Sequence, residues 1–399
     1  MSEIKVPLLD LNQQNHALSA QLTEAFERVL GHGKFILGDE VAHFEELAAR
    51  ELNSKHAIGV SSGTDALLLA LMTLDIGPGD EVICPSFSFF ATAGVISRLG
   101  ATPIFADICP VCFNLDPDSV AEKINPRTKA LIPVHLFGQA APMTALTAIA
   151  EQHDLKVIED AAQSFGAGFQ DKALGTIGDF GCFSFFPSKN LGGFGDAGLL
   201  TTQDDELAAK ARILRVHGSD PKYYHPMIGG NFRIDALQAA LLSVKLPHHR
   251  QYGHQRALNA KFYREALGKF DGVVENQSCK LCNTKCDQDP DNARLILPQT
   301  LPGNTHIWNQ FTLRLPKRNG TDQLPRDELR AFLGSRNIGS EIYYPVPFHQ
   351  QECFAALKPA TCPVAEQIAQ EVLSIPVYPE LNDDQRAAVV NAIADFLEQ

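Results

Sequence analysis

The chain has 399 residues, 45% of them hydrophobic, and its 34 Lys and Arg against 47 Asp and Glu give a net charge of −13. That length and apolar content exclude a disordered chain and require at least two lobes. The acidity excludes a general nucleic-acid binder, and no apolar run of about 18 residues is present to span a membrane.

The start, Met1-Ser2-Glu3-Ile4-Lys5, lacks the basic-then-apolar pattern of a signal segment. Nine cysteines, an odd count, suit a reducing compartment better than a disulfide framework, so a cytoplasmic protein is expected. Residues 16–30 show helical apolar spacing and end at Gly31. A turn-like stretch, Gly33 to Gly38, leads into a second helical pattern that runs to about Leu52. From residue 57 onward, apolar runs (AIGV, EVICP, TPIFADI, KALIPVHLF, KVIEDAA) alternate with helical stretches at 65–74, 88–99, 117–124 and 142–153. That alternation predicts an α/β fold with a mostly parallel sheet and helices on both faces. After residue 180 come two further strands, DFGCFSFF and GLLTT, then helices at 204–217 and 234–246. The rest mixes helix and short strands and closes with a helix at 383–398. The expected division is an N-terminal arm (1–34) packing on the second lobe, a large domain (35–245) and a smaller α+β domain (246–399).

Gly193-Phe194-Gly195-Asp196-Ala197-Gly198 matches G-x-G-x-x-G literally. A dinucleotide fingerprint must open a helix, whereas these glycines lead into Leu199-Leu200-Thr201-Thr202, which reads as a strand. A flexible turn is the better reading.

Four separated segments carry chemistry together. Ser61-Ser62-Gly63-Thr64-Asp65 lies between a strand and a helical run. Small residues at a helix start leave backbone N–H groups for an anion, with the hydroxyls of Ser62 or Thr64 as further donors; an ordinary helix cap is the plain alternative. Asp160 closes the strand Val157-Ile158-Glu159, at the sheet edge where open α/β sheets bind ligands. Its carboxylate suits a protonated ring nitrogen, or simply caps the next helix. Lys189 sits among Phe185, Phe186, Pro187, Gly192 and Gly193. Desolvation there disfavours the ammonium and suits an amine that attacks a carbonyl. Asn231 and Arg233, before a helix that Asp235 can cap, are candidates for an anion from outside the cleft. A phosphate cradle, a carboxylate and a desolvated lysine describe a site for pyridoxal 5'-phosphate.

The sequence resembles the DegT/DnrJ/EryC1/StrS nucleotide-sugar aminotransferases of the aspartate aminotransferase superfamily. The residues carrying the resemblance are SSGTDALLLAL (61–71), GDEVICPSFSFFATA (79–93), VHLFGQ (134–139), EDAAQSFGA (159–167), FSFFPSKNLGGFGDAG (183–198), NFRIDALQAALL (231–242) and YYPVPFHQQECF (343–354). The resemblance implies the fold type I architecture of pyridoxal-phosphate transferases. It implies that Lys189 is the Schiff-base lysine, Asp160 the partner of the pyridine nitrogen, Gln163 the group near the ring hydroxyl and Phe89 the aromatic that stacks on the ring. Gly63, Thr64 and Ser184 match phosphate contacts. Asn231 matches a phosphate contact from the neighbouring subunit, which implies a homodimer with shared sites. A dehydratase branch of the family has histidine at the lysine position, so Lys189 favours transamination. The implied donor is glutamate and the implied acceptor a keto-sugar linked to dTDP, UDP or GDP. A sugar dehydratase or another pyridoxal-phosphate enzyme, and a regulatory cofactor-binding protein, are the alternatives.

For the sugar diphosphate, Arg233, Lys222 and Lys34 are the candidates for a local basic rim working against the global charge. Tyr343-Tyr344-Pro345 stands where many relatives carry His-Tyr-Pro, and both tyrosines are expected to line the substrate cleft. His349 and His135 are further candidates for substrate contact, with structural roles as the favoured reading. Cys279, Cys282 and Cys286 have a C-x2-C-x3-C spacing that suits zinc, but free thiols on an exposed loop are the favoured reading, so no metal is expected.

Overall fold

The computed structural model describes residues 4–275, 293–318 and 323–399. Its helices are α1 (Asn12–Ala17), α2 (Ser19–His32), α3 (Asp39–Leu52), α4 (Gly63–Thr73), α5 (Ala91–Arg98), α6 (Pro117–Ala121), α7 (Met143–Gln152), α8 (Asp205–Leu214), α9 (Ala236–Lys245), α10 (His249–Leu267), α11 (Pro325–Ser335), α12 (Pro363–Glu371) and α13 (Asp383–Leu397). The longer strands are β1 (His56–Val60), β2 (Glu81–Pro85), β3 (Thr102–Ala106), β4 (Thr128–Leu131) and β5 (Lys156–Asp160). After the short pair β6 (Gly168–Phe169) and β7 (Lys172–Ala173) come β8 (Phe180–Ser184) and β9 (Gly198–Thr202).

Seven strands form the main sheet in the order β1-β9-β8-β5-β4-β2-β3. Only β9 runs antiparallel to its neighbours, so the expected mostly parallel sheet is present. Its strands are buried along most of their length, which explains their continuous apolar runs. The glycines at 193–198 lead into β9 and open no helix, as the sequence reading required.

A second sheet orders β10 (Val273–Val274), β11 (Leu295–Ile296), β13 (Phe311–Arg314) and β14 (Val372–Ile375). Its core gathers Tyr263, Phe311, Leu313, Leu329 and Ile393 from the strands and from α10, α11 and α13. The short strand β12 (Asn304–Thr305) pairs with β6.

The N-terminal segment departs from expectation. Val6 pairs with Ile338 and joins the second core, as an arm on that lobe would. Residues 12–32 do not follow it. The helical pattern breaks at Leu18, and α2 turns Leu22, Ala25 and Val29 onto Ala240 and Leu241 of α9. Those three positions form one apolar stripe, and α9 offers the matching face.

Strand alternation sends the last two residues of β5 to opposite sides. Glu159 is fully buried, and its carboxylate accepts from the backbone N–H of Gly175 (2.8 Å), Ile177 (2.7 Å) and Gly178 (2.8 Å). A fourth partner is His135 Nε2 at 2.8 Å. The other ring nitrogen of His135 accepts from the Ala141 N–H, which assigns the proton to Nε2. His135 is therefore structural and does not reach the cleft. Glu159→Ala leaves four buried donors without an acceptor. It is expected to cost at least about 3 kcal/mol, measured as a shift in the denaturant midpoint of the cofactor-free protein.

Candidate active site

The ends of β1, β5 and β8 and the turn after β2 build one cleft. At the end of β1, Ser62 caps α4: its Oγ accepts from the Asp65 N–H at 3.0 Å. The expected cap is thus present, and the N–H groups of Gly63 and Thr64 keep no acceptor among the described residues. Gly63 is buried, and a side chain there would meet Ser184 Cβ at 2.7 Å. A side chain on Gly198 would meet the Ser62 backbone at 2.5 Å. Both glycines therefore let the ends of β8 and β9 pack directly against the start of α4, which brings the Ser184 hydroxyl beside the uncommitted amides of a helix start that favours an anion.

Asp160 lies at the end of β5, 5% exposed. Its Oδ2 accepts from the Thr92 hydroxyl at 2.7 Å and its Oδ1 from the Ala162 N–H at 3.2 Å. Burial pushes this carboxyl upward, and those hydrogen bonds and the positive Lys189 pull it back. Lys189 follows β8 in a tight loop, and its Nζ has no hydrogen-bond acceptor among the described residues. Burial lowers its ammonium to about 8, against the attraction of Asp160. The two groups thus lie within electrostatic reach of one another, each disfavoured in its charged form by burial.

The aromatic side of the cleft comes from the turn after β2. Phe89 is 58% exposed, with an open ring face, and lies 6.4 Å from the Tyr344 ring. Tyr344 also packs edge-on against Phe87 at 6.0 Å. Its hydroxyl accepts from Gln163 Nε2 at 3.1 Å, while Gln163 Oε1 accepts from the Phe137 N–H at 2.6 Å. Gln163 therefore ties Tyr344 to the backbone beside Asp160. Burial raises both Tyr343 and Tyr344, which keeps the phenols protonated.

The remaining sequence candidates lie differently. Asn231 is exposed, on a segment whose next residue, Phe232, accepts the Ser61 N–H at its carbonyl. Arg233 pairs by backbone with Val60, and its Nε is buried without a partner among the described residues. Lys34 is exposed and 4.0 Å from Asp39, and Lys222 lies 4.9 Å over the Tyr223 ring. Neither lysine makes its contacts with the Asp160–Lys189 group. His349 is buried, with Nε2 on Glu366 at 2.9 Å, the structural role favoured over substrate contact. Its neighbour explains this: the Phe348 N–H is bound to the Ser86 carbonyl, which draws the turn into the core. Cys279, Cys282 and Cys286 lie outside the described residues. Among the described residues no group of three or more His, Cys, Asp or Glu is placed to hold a metal.

The model of the DegT/DnrJ/EryC1/StrS aminotransferase family matches residues 16–394. The chain belongs to this family. A pleiotropic regulatory protein of Geobacillus stearothermophilus is 44% identical over 395 residues, 98% of this chain and 99% of that one. A UDP-N-acetyl-3-dehydro-alpha-D-glucosamine 3-aminotransferase of Acidithiobacillus ferrooxidans is 40% identical over 388 residues, 97% of each chain. The crystal structure of S. venezuelae DesV in complex with a ketimine intermediate superposes with a TM-score of 0.89 at 39% identity, covering 99% of both chains.

Within this aminotransferase fold, sequence reasoning missed the residues that hold Lys189 in place. Asn190 donates to the Ile307 carbonyl at 2.9 Å and accepts from Asn309 at 2.8 Å. Lys245, buried and lowered to about 8, donates to the Gly192 carbonyl at 2.6 Å. Gln238 accepts from the Phe194 N–H at 2.8 Å. The one available signal was the invasion of polar residues into otherwise apolar stretches, as at Lys245 behind Leu241 and Leu242.

A lysine near 8 is half neutral at about pH 8, whereas an exposed one is then almost wholly charged. Reductive labelling of the cofactor-free protein with a small aromatic aldehyde is therefore expected to favour Lys189. Its rate should rise with pH to a midpoint near 8, read by peptide mass. A midpoint near 10.5 would contradict the desolvated environment.

Proposed function

We propose that this aminotransferase moves an amino group from an amino acid, glutamate first, to the carbonyl of a keto-sugar nucleotide, with pyridoxal 5'-phosphate as cofactor. The observation that carries this is a desolvated Lys189 within electrostatic reach of a buried Asp160, with the uncommitted Gly63 and Thr64 amides packed beside Ser184 at the end of β8. The residues fit the cofactor. The cradle offers uncommitted N–H groups for a phosphate, and Asp160 keeps acceptor capacity beyond its two partners.

When bound, pyridoxal phosphate supplies an electron sink for a carbanion at the carbon bearing the amino group. Gly63, Thr64 and Ser184 would hold the phosphate, with the hydroxyl proton of Ser62 in reach of the same pocket. Asp160 would keep the ring nitrogen protonated, Phe89 would cover one ring face, and Gln163 would approach the ring hydroxyl. Lys189 Nζ would carry the proton between donor and acceptor carbons, and its lowered affinity for that proton suits both directions of transfer. Tyr343 and Tyr344 would wall the sugar side. Arg233, and across the assembly Lys222 and Lys34, would meet the diphosphate.

The acceptor carbonyl is proposed at C3 of the sugar, supported by the 3-aminotransferase named among the relatives. A homodimer with shared sites belongs to the same reading. Its support is the uncovered apolar surface around Asn231: Tyr223 is 79% exposed and Ile228 90%, with Phe35 and Ile36 also open. So does the division into an arm, a large domain to residue 245 and a small domain beyond it, and so does a cytoplasmic compartment. Among the described residues no helix is long and apolar enough to cross a membrane. A regulatory reading rests on the name of the Geobacillus relative. Lys189 stands against the dehydratase branch, which the resemblance assigns a histidine there.

Purified enzyme, glutamate and a panel of UDP-, dTDP- and GDP-linked 3- and 4-keto sugars, read by mass, should give an aminated sugar and an equal amount of 2-oxoglutarate. Lys189→Ala is expected to abolish both products. Full activity in that variant would sink the assignment, and no product from any sugar would favour the regulatory reading.

A further inference from the structure

The shortest hydrogen bond to Asp160 comes from a residue outside its strand. Thr92 is fully buried in the first turn of α5. Its Oγ1 lies 2.7 Å from Asp160 Oδ2 and 3.2 Å from the Phe89 carbonyl. A hydroxyl has one proton, and the shorter contact to a charged acceptor takes it. The Thr92 N–H also points at the Phe89 carbonyl, at 3.3 Å. One residue thus touches both the buried carboxylate and the turn that carries the exposed Phe89 ring.

The other charged or titratable groups within electrostatic reach of Asp160 are Lys189 and His135, with Cys182 and Tyr344 on the packed elements around it. Glu159 points to the far side of the strand, where four donors already engage it. His135 is committed to Glu159 and Tyr344 to Gln163. Thr92 and the Ala162 N–H are therefore the two hydrogen-bond donors to the Asp160 carboxylate among the described residues.

We propose that Thr92 is a positioning residue, whose hydroxyl fixes the orientation and the charged form of the Asp160 carboxylate and links it to the Phe89 turn. The hydroxyl occupies one oxygen from the side of α5. The carboxylate is then held with its remaining lone pairs toward the cleft. The part that concerns a ring nitrogen rests on the cofactor reading above. The effect on Asp160 itself does not, because it is a property of the cofactor-free protein.

The test is a 13C NMR titration of the Asp160 carboxyl in cofactor-free, aspartate-labelled protein, with the resonance assigned by its loss in Asp160→Asn. Removing a hydrogen bond to a charged group in Thr92→Val should raise the Asp160 midpoint by about one pH unit. Thr92→Ser should restore the wild-type midpoint, and Thr92→Cys, a weak donor, should fall between. In loaded enzyme, Thr92→Val should weaken cofactor affinity about tenfold and lower kcat, with KM for the sugar nucleotide nearly unchanged. An unshifted midpoint in Thr92→Val would reduce Thr92 to a helix-turn residue and overturn the proposal. If Thr92→Val does not fold, an unshifted midpoint in Thr92→Cys does the same. A shifted midpoint in a protein that never takes up pyridoxal phosphate would uphold the Thr92–Asp160 pair and defeat the cofactor reading instead.

Discussion

Two consecutive carboxylates at the end of one central strand organise this molecule. Burying a charge is costly unless it is met by donors, and β5 ends in two of them, Glu159 and Asp160. Alternation separates their surroundings. Glu159 collects three backbone amides and an imidazole, so its charge is spent inside the fold and fastens the 175–178 turn to β5. Asp160 collects two donors and keeps acceptor capacity toward the cleft. A carboxylate left partly unsatisfied is expensive, and a fold keeps such a group where a ligand completes it.

The same logic separates two buried lysines that burial alone would confuse. Lys189 and Lys245 are both lowered to about 8. Lys245 donates to the Gly192 carbonyl and lies 5.5 Å from the Phe194 ring, so it braces the loop that follows Lys189. Lys189 itself has no such acceptor among the described residues and lies within electrostatic reach of Asp160. Asn190, one residue on, is clamped by Ile307 and Asn309, just before β13. The lysine is therefore held through its chain neighbours and left free at its own Nζ.

Much of this was legible in the sequence, for identifiable reasons. Apolar runs broken by turn residues located β1 to β5, β8 and β9 because a sheet covered on both faces needs continuous apolar strands. Lys189 stood out because a lysine among phenylalanines and glycines has no solvated face to occupy. The losses are all long-range. Thr92 lies in an unremarkable FFATA run, and only the fold brings it to Asp160, 68 positions away. The partner of His349 was likewise out of reach of the sequence, since the Phe348–Ser86 bond that draws its turn inward joins distant segments. The arm at 1–34 read as one unit because nothing in its sequence marks that Val6 and α2 find different partners.

The net charge of −13 is compatible with the proposed anion site because an anion there would meet a helix start and not the global field. One acidic residue threatens that arrangement directly, since Asp65 lies in the first turn of α4. Its carboxylate is turned back on Ser61, whose hydroxyl donates to it at 2.6 Å, while its own N–H is spent on Ser62. A serine before the cap thus holds the acid aside, and the two amides that follow the cap stay open. Ser61, which no phosphate role singles out, is what makes an aspartate tolerable beside the cradle. The acid in turn stabilises the helix start through the dipole that the anion also uses.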